Sequence, residues 1–237
     1  MKISLLNGTT ELPLQTIGER AGICWNAPTN SEEANKKRAI GCIKSGHGRV
    51  MEYVEIEVVL EGASARMMRE IYTHIAGTTR LQSSTRYVSE EGGFGYFEPP
   101  LIAKNSITSE IFGRTMDEIQ SGYNQLINTG ITKEDAANVL PLGMNSKMVW
   151  KINLRSLVNF MNQRLCNRAY HEIRDFAKLL RVALKGMNEE WEWIANNLFV
   201  PKCEVYRYIN PEFVFCPEAQ CCGRHKKITE LHVTPKE

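Results

Sequence analysis

The stretch NLRSLVNFMNQRLCNRAYHEIRDFA runs from Asn153 to Ala177 and carries the most informative pattern of the chain. Apolar residues recur at helical spacing in its first half, which predicts a helix from Leu154 to about Leu165 with one buried face. Amides and arginines cover much of the remaining surface, without an acidic residue among them. An asparagine side chain offers both a donor and an acceptor, so this face can read the polar edge of a pyrimidine or a flavin. A solvated helix face is the competing interpretation.

The segments on either side of this stretch predict further regular structure. The run KMVWKIN directly before it has strand character. After a break near Cys166, a longer helix is predicted from about Arg168 to Leu198. Residues 201–237 form a short polar tail rich in cysteine. We therefore expect one main domain at residues 1–200 and a carboxyl-terminal extension at 201–237.

The amino-terminal half mixes short strands with helices. Strands are predicted at Met1–Leu5 and at Val50–Leu60, where the apolar residues Val54, Ile56, Val58 and Leu60 fall on one face. Helices are predicted over NSEEANKKRAIGCIKSG, with Asn30 as the N-cap and Gly46 as the stop, from Ala63 to about His74, from Ile107 to Ile127, and after Thr132. Regular βαβ alternation and a glycine-rich phosphate loop are both missing from the sequence. The expected fold class is α+β, with mixed helices and an antiparallel-type sheet in one domain.

A second notable stretch, THIAGTTRLQSSTRY from Thr73 to Tyr87, is dense in hydroxyls and cations and contains no acid. Hydroxyls and backbone N–H groups after a helix can cradle a phosphate, and an arginine fork binds it in bidentate fashion. The alternative is a polar loop whose hydroxyls satisfy local backbone groups. A third stretch, SGHGRVMEYVEIE, places His47, Arg49 and Glu52 together where a helix ends and a strand begins, a common location for sites. A lone histidine is more often structural.

Length, composition and charge limit the function. The 237 residues, 43% of them hydrophobic and 24% charged, suffice for a substantial globular core. A formal net charge of +2 gives no reason to expect bulk binding to nucleic acid or membranes, so an anion site must be local. No apolar run reaches the roughly 20 residues of a membrane span, and the amino terminus lacks the features of a signal peptide. We therefore expect a cytoplasmic protein without a membrane or nucleic-acid partner.

The cysteines of the tail allow two interpretations. Cys203, Cys216, Cys221 and Cys222 lie with His225 in the last residues of the chain, and four sulfurs and a histidine can bind zinc tetrahedrally. The gaps between them are irregular, however, and no C-x-x-C pair is present. Thiols without a metal are the favoured interpretation for a reducing compartment, and no metal site is predicted.

Taken in chain order, these motifs resemble the flavin-dependent thymidylate synthases. The stretch from Asn153 is similar to that family's N-x-R-S-L-x-N-F-x-x-x-R-x-x-x-x-A-Q-x-E-I-R helix pair, with Tyr170 at the glutamine. SGHGRVMEY is similar to G-H-x-S/T-x-x-E-H, with Arg49 at the hydroxyl position and Tyr53 at the last histidine. THIAGTTRLQSSTRY stands where the family has R-H-R-x-x-S-x-N-E-x-S-x-R-Y. The resemblance covers roughly residues 1 to 200.

The resemblance implies reductive methylation of dUMP at C5 to give dTMP. Methylenetetrahydrofolate is the implied carbon donor, and NADPH, through FAD, is the implied source of hydride. The resemblance also implies a homotetramer with active sites at subunit interfaces. The positions that match flavin contacts, to which we add Arg80, are His47, Arg49, Glu52, His74, Arg80, Asn153, Arg155 and Asn159. The positions that match the nucleotide-binding stretch are Glu70, Thr73, Gln82, Ser84, Thr85 and Arg86.

Arg164 matches the catalytic and substrate-binding arginine that favours the N3-deprotonated pyrimidine. A guanidinium stays charged in proteins and stabilises negative charge on a ring placed against it. That charge makes C5 more nucleophilic, so the implied mechanism needs no cysteine nucleophile.

Departures from the family pattern motivate an alternative substrate. Thr73 and Ile75 stand at two arginine positions, Gln82 stands at a glutamate position, and Arg80 is the candidate to replace a lost cation. The alternative is methylation or hydroxymethylation of another uridine nucleotide on the same fold. An alternative from a different class is a non-catalytic module in which the tail binds zinc and the basic segment Arg224–Lys227 contacts nucleic acid.

Overall fold

Alternating apolar residues form the core strand of a sheet in the structure, a computed structural model that describes residues 1–231. Val54, Ile56, Val58 and Leu60 are fully buried, as their alternation predicts. The strands of the described residues are β1 (Lys2–Leu5), β2 (Glu55–Ser64), β3 (Thr78–Gln82) and β4 (Asn145–Asn153). They pair in the order β1-β2-β4-β3, and the sheet is antiparallel.

The helices give the fold its α+β character. In chain order they are α1 (Pro13–Cys24), α2 (Glu32–Lys44), α3 (Ala65–Tyr72), α4 (Pro100–Ala103), α5 (Ser106–Asn128), α6 (Lys133–Ala136), α7 (Leu154–Arg164), α8 (His171–Lys185) and α9 (Glu189–Asn197). Short 3-10 turns occur at Gly48–Tyr53, Ala137–Val139, Lys202–Glu204 and Ile228–Glu230. Among residues 1–231, no helix is both long enough and apolar enough to cross a bilayer.

The chain divides into two compact units. Unit 1 contains Met1–Ser4, Val58–Ile75 and Thr79–Trp150. Unit 2 contains Leu5–Glu57, Ala76–Thr78 and the described residues from Lys151 onward. Strands β2 and β4 run from one unit into the other.

Unit 1 places its loops and α5 around a small apolar cluster. Phe94, Met116 and Met144 are buried in this cluster, and Phe112 packs against them. The ring of Tyr96 meets Phe112 edge to face, with 5.7 Å between centroids. This packing fixes the glycine-rich loop before α4 against the long helix α5.

Unit 2 buries the apolar faces of α7, α8 and α9. Phe160 on α7 and Phe176 on α8 are fully buried and meet edge to face, with 5.9 Å between centroids. Trp191 on α9 is also fully buried, and its indole N–H donates to the Thr10 carbonyl at 2.9 Å. On the opposite face of α7, Arg155, Asn159 and Gln163 are exposed.

Several predicted boundaries are confirmed. Helix α7 begins at Leu154 and α5 ends before Gly130, whose φ of 87° stops the helix. The hydroxyl of Thr132 accepts the N–H of Asp135 at the start of α6. The strand at Met1–Leu5 is present as β1.

Other predictions are wrong. The segment Val50–Tyr53 belongs to a 3-10 turn rather than to the strand, which begins at Glu55. The single helix predicted from Arg168 to Leu198 is two helices, α8 and α9, because the Asn188 side chain accepts two N–H groups and starts a new helix. The N-cap of α2 is Ser31 instead of Asn30, and its hydroxyl accepts the Ala34 N–H.

Candidate functional site

Asn153 joins the sheet to α7 and is fixed from two sides. Its carboxamide oxygen accepts the Ser156 N–H at 2.9 Å, which caps the helix. The backbone N–H of Asn153 donates to the Gly77 carbonyl at 2.9 Å. Gly77 has a φ of 61°, and a Cβ built on it would overlap the Asn153 amide. Only glycine suits this close approach.

An ion pair joins α7 to the 3-10 turn at Gly48–Tyr53. The Arg155 guanidinium lies 2.6 Å from the Glu52 carboxylate, which the 3-10 turn presents. Gly48 lies behind the same guanidinium, and a Cβ there would lie 3.1 Å from its Nε. The structure therefore brings the predicted flavin residues Glu52 and Arg155 into direct contact.

The remaining predicted flavin residues of unit 2 lie around this pair. His47 and Arg49 are both exposed. His47 directly precedes the 3-10 turn, and Arg49 is the second residue of that turn. Asn159 is exposed one turn along α7 from Arg155, and its carboxamide oxygen accepts the Gln163 amide at 3.2 Å. The 3-10 turn and α7 together present amide, guanidinium and imidazole groups.

Arg164 lies at the carboxyl-terminal end of α7, in the wall of a cavity of about 630 Å³. The cavity is lined on one side by Asn159 and Arg164, and on the other by residues 202–225 of the extension. Its lining includes the cations Arg164, Arg168, Lys202 and Arg224, and among the described lining residues Glu218 is the single carboxylate. Lys202 pairs with Glu218 at 3.0 Å. The lining is thus suited to an anion.

Sequence reasoning missed the residues that the extension and the α7–α8 connection contribute to this cavity. Arg168 donates to the Gln220 carbonyl and to its side-chain oxygen, both at 3.0 Å, and so ties the extension to the connection. Burial raises the pKa of the Cys203 thiol to about 11, and the neighbouring Glu204 carboxylate acts in the same direction. Arg168 and Gln220 are more than fifty positions apart, so no local sequence pattern predicts their contact.

The predicted residues of unit 1 cluster at the end of α3. The Arg80 guanidinium donates to the Ile71 and His74 carbonyls at 2.9 and 3.1 Å. It also lies 4.7 Å from the centroid of the Tyr72 ring. The Thr73 hydroxyl donates to the Glu70 carbonyl at 2.7 Å. Arg80 therefore fixes the backbone on which Glu70, Thr73 and His74 stand.

The second half of THIAGTTRLQSSTRY holds a strand that the sequence did not predict, and then a turn. In β3 the Gln82 amide donates to the Ser146 hydroxyl at 3.1 Å. The Ser84 hydroxyl accepts the Arg86 N–H at 3.3 Å, and Thr85 lies half-buried between them. The Arg86 guanidinium pairs with Glu134 at 3.0 Å. Four of the predicted nucleotide residues, Gln82, Ser84, Thr85 and Arg86, thus lie in one short segment, whereas Glu70 and Thr73 lie at the end of α3.

Comparisons with known proteins agree on one family. The family model described as thymidylate synthase complementing protein matches residues 5–187. A flavin-dependent thymidylate synthase of Nitratidesulfovibrio vulgaris is 33% identical over 196 residues, which are 77% of this chain and 74% of that protein. The flavin-dependent thymidylate synthase of Clostridium tetani is 28% identical over 259 residues, covering 98% of this chain and 97% of that protein.

Solved structures show the same fold. A flavin-dependent thymidylate synthase from Helicobacter pylori, complexed with FAD and dUMP, superimposes with a TM-score of 0.64 at 21% identity. The match covers 84% of this chain and 99% of that chain. The α+β fold with its small sheet is therefore shared with these structures.

Proposed function

The chain belongs to the flavin-dependent thymidylate synthases, and we propose that Arg164 and the amide face of α7 carry out that family's reaction here. The reaction is the flavin-dependent methylation of dUMP at C5 to give dTMP. The observation that carries the assignment of residues is the position of Arg164, in the wall of a basic cavity and on the helix that bears Arg155 and Asn159 and is capped by Asn153.

Arg164 is the group that activates the nucleotide. Arginine side chains carry a positive charge in proteins, so a pyrimidine placed against this guanidinium is stabilised as the N3-deprotonated anion. Nearby cations in the cavity wall strengthen this effect and favour the phosphate of a nucleotide. Negative charge on the ring raises the electron density at C5, which then attacks the incoming carbon.

The donors around Arg155 fit a flavin. Gly48 leaves the room in which the Arg155 guanidinium lies, and the Glu52 carboxylate holds that guanidinium in place. Asn153 and Asn159 add amides that both donate and accept. When bound, FAD supplies the hydride chemistry that no side chain can perform. We propose that His47, Arg49, Glu52, Arg155 and the two amides bind it, together with His74 and Arg80.

The remaining reactants and the nucleotide contacts are proposals that extend the same assignment. NADPH is the proposed reductant and methylenetetrahydrofolate the proposed carbon donor, because methylation at C5 needs both a one-carbon unit and hydride. Ser84, Thr85, Arg86, Glu70, Thr73 and Gln82 are the proposed contacts to dUMP. Their hydroxyls and guanidinium suit a phosphate.

Assembly and location are also proposals. A homotetramer with active sites at subunit interfaces is expected for this family's reaction, in the cytoplasm. We propose residues 1–200 as the catalytic domain and 201–237 as an extension, a division supported by the end of the family match at residue 187.

A spectroscopic experiment tests the proposed function. The purified chain, reconstituted with FAD, is expected to show flavin absorbance that changes when dUMP is added. Turnover to dTMP is expected with NADPH and methylenetetrahydrofolate. A folded chain that retains no flavin contradicts the proposal.

The choice of nucleotide is tested in the same assay. Gln82 offers an amide where the family has a carboxylate, and this amide is engaged with Ser146. That observation supports the second candidate, another uridine nucleotide. Turnover of dUMP well above that of UMP supports thymidylate synthesis, and the reverse order supports the second candidate.

A further inference from the structure

The carboxyl-terminal extension, residues 201–231 of the described chain, has almost no apolar core of its own. From Lys202 to Leu231, Cys216 is the one residue that is buried, at 7% exposure. A segment of about thirty residues cannot hold a defined structure through so little burial, and natural chains of this kind are usually stapled by metals or disulfides. The extension therefore needs a further source of stability.

Backbone pairing brings the cysteines of the extension together. The Phe215 N–H donates to the Cys203 carbonyl at 3.1 Å. The Cys216 N–H donates to the Lys226 carbonyl at 2.8 Å, and its carbonyl accepts the Ile228 N–H at 3.1 Å. Backbone hydrogen bonds thus join three segments of the extension, around Cys203, Cys216 and Lys226.

Metal-ligating atoms meet at this convergence. The Cys203 sulfur, a Glu204 carboxylate oxygen and a His225 ring nitrogen all lie within 4.8 Å of one another. The His225 ring nitrogen Nε2 lies 3.2 Å from Glu204 Oε1. Glu204 also pairs with Arg207 at 3.2 Å and with Arg224 at 3.7 Å. Because its carboxylate is already shared among these partners, Glu204 is better suited to orienting the histidine than to binding a metal itself.

Two more thiols lie in the same cavity. Cys216 and Cys221 both line the cavity that Cys203 and His225 also line. The Cys221 sulfur accepts the Gly223 N–H at 3.3 Å, and its thiol donates to the His225 carbonyl at 3.1 Å. The φ of Gly223 is 84°, so glycine permits the tight turn that aims this N–H at the sulfur. Such an N–H bond stabilises a thiolate.

We propose that the extension binds one Zn²⁺ ion through Cys203, Cys216, Cys221 and His225, with the Glu204 carboxylate holding the histidine ring. Three thiolates and one imidazole form a closed tetrahedral structural site. Three thiolates on Zn²⁺ carry a net charge of about −1, which the cavity cations Arg168 and Arg224 complement. The ion fixes the wall of the cavity that faces Arg164. This inference goes beyond the proposed function and does not depend on it.

Metal analysis of the full-length protein tests the site. Protein purified under reducing conditions, equilibrated with zinc and desalted, is expected to contain one zinc ion per chain. The variants Cys203→Ser and His225→Ala are expected to lose most of that zinc. Cys24→Ser is the matched control, because Cys24 is an exposed thiol on α1 outside the extension. It is expected to retain the full amount.

Cobalt substitution tests the ligand set without relying on variants that fold poorly. The wild-type chain loaded with Co²⁺ is expected to show the strong visible absorption of a tetrahedral site with thiolate ligands. Glu204→Gln is expected to keep that spectrum but to weaken metal affinity by about 10- to 100-fold.

A reduced, folded wild-type protein that takes up neither zinc nor cobalt overturns the proposal. So does a Cys216–Cys221 disulfide that leaves no metal bound, or Cys203→Ser with a full equivalent of zinc. None of these outcomes alters the flavin spectrum on which the proposed function is tested.

Discussion

At the scale of single residues, Arg164 is the residue that we propose activates the nucleotide. We predict that Arg164→Ala lowers turnover of dUMP by about 100-fold or more, because removal of one preorganised charge that stabilises the reacting ring costs this much. FAD binding and unfolding temperature are expected to change little. Arg164→Lys keeps the charge without the planar fork, so we expect an intermediate rate.

The control for Arg164 is Arg20→Ala, which removes an exposed guanidinium that pairs with its neighbour Glu19. Steady-state assays and flavin content measured on all three variants give the comparison. Near wild-type turnover of Arg164→Ala contradicts the assignment.

Gly77 tests whether the position of Asn153 matters. We predict that Gly77→Ala weakens FAD binding and lowers the free energy of unfolding by about 2 kcal/mol or more, since a Cβ there is strained and overlaps the Asn153 amide. Gly130→Ala is the matched control, because Gly130 also has a positive φ but nothing lies within 4 Å of a Cβ built there.

Gly130→Ala is expected to cost only the backbone strain, about 1 kcal/mol, and to leave FAD affinity unchanged. Flavin titration and chemical denaturation measure both effects. Equal flavin affinities of the two variants show that the approach of Gly77 to Asn153 is unimportant.

At the scale of elements, α1 depends on a residue far away in sequence. The buried Glu190 carboxylate accepts the N–H groups of Leu14 and Gln15 at 2.7 and 3.1 Å and pairs with Lys36 at 3.3 Å. We predict that Glu190→Ala lowers the free energy of unfolding by about 3 kcal/mol, because it leaves buried N–H groups at the start of the helix without an acceptor.

Glu189→Ala is the control for Glu190. Glu189 also pairs with Lys36, at 3.1 Å, but its side chain is 83% exposed, so we expect little loss of stability. Urea denaturation of the two variants measures the difference. A similar loss in both would assign the effect to the surface ion pair instead of the helix cap.

The pairing of Lys36 with Glu189 and Glu190 makes the stability of the fold depend on pH. Hydrogen bonds to Glu189 and Glu190 raise the pKa of the Lys36 ammonium above its ordinary value of 10.5. A raised pKa means that this pairing stabilises the fold fully below pH 10.5 and that its contribution is lost as the pH rises through the folded pKa. On the alkaline side, the free energies of unfolding of wild type and Lys36→Met should therefore converge only above the folded pKa of Lys36, as measured by denaturation.

These contacts explain which elements the sequence predicted. Strand β2 and helix α7 follow from local periodicity, and both are present. Helix α1 begins at Pro13 without a side-chain cap from its own segment, because its cap is Glu190. Strand β3 is short and polar, and its residue Thr78 is held by a hydroxyl bond to the Lys151 carbonyl at 2.8 Å. Neither interaction leaves a local pattern that sequence reasoning can read.

The residues of the candidate site also fall into those that the sequence predicted and those that it did not. Helical periodicity was enough to place Arg155 and Asn159 on one helix, whereas Glu52 was predicted at the entrance of a strand and lies on a 3-10 turn. The contribution of Arg168 and the extension to the cavity was not predictable, because it depends on hydrogen bonds to Gln220 formed only in the folded chain.

At the scale of the whole molecule, the proposed location of the active sites at subunit interfaces predicts complementation between subunits. We predict that Arg164→Ala and Ser84→Ala chains, each inactive alone, regain activity when they are unfolded together and refolded as mixed oligomers. Sites assembled from different subunits then pair one intact Arg164 with one intact Ser84.

Arg164→Ala mixed with Asn159→Ala is the control, because both residues stand on α7 of the same chain. No intact copy of that helix exists in the mixture, so activity should stay at the sum of the separate variants. Native mass spectrometry checks the tetramer. A first mixture that is no more active than the control contradicts sites at subunit interfaces.

The cavity at Arg164 also bears on inhibitor selectivity. One side is α7, which lies inside the family match at residues 5–187, and the other side is the extension beyond that match. A compound that occupies only the α7 side should inhibit many relatives alike. A compound that also reaches Arg224 or Gln220 should discriminate this enzyme from relatives with a different carboxyl terminus, so the extension offers a handle for narrow-spectrum inhibitor design.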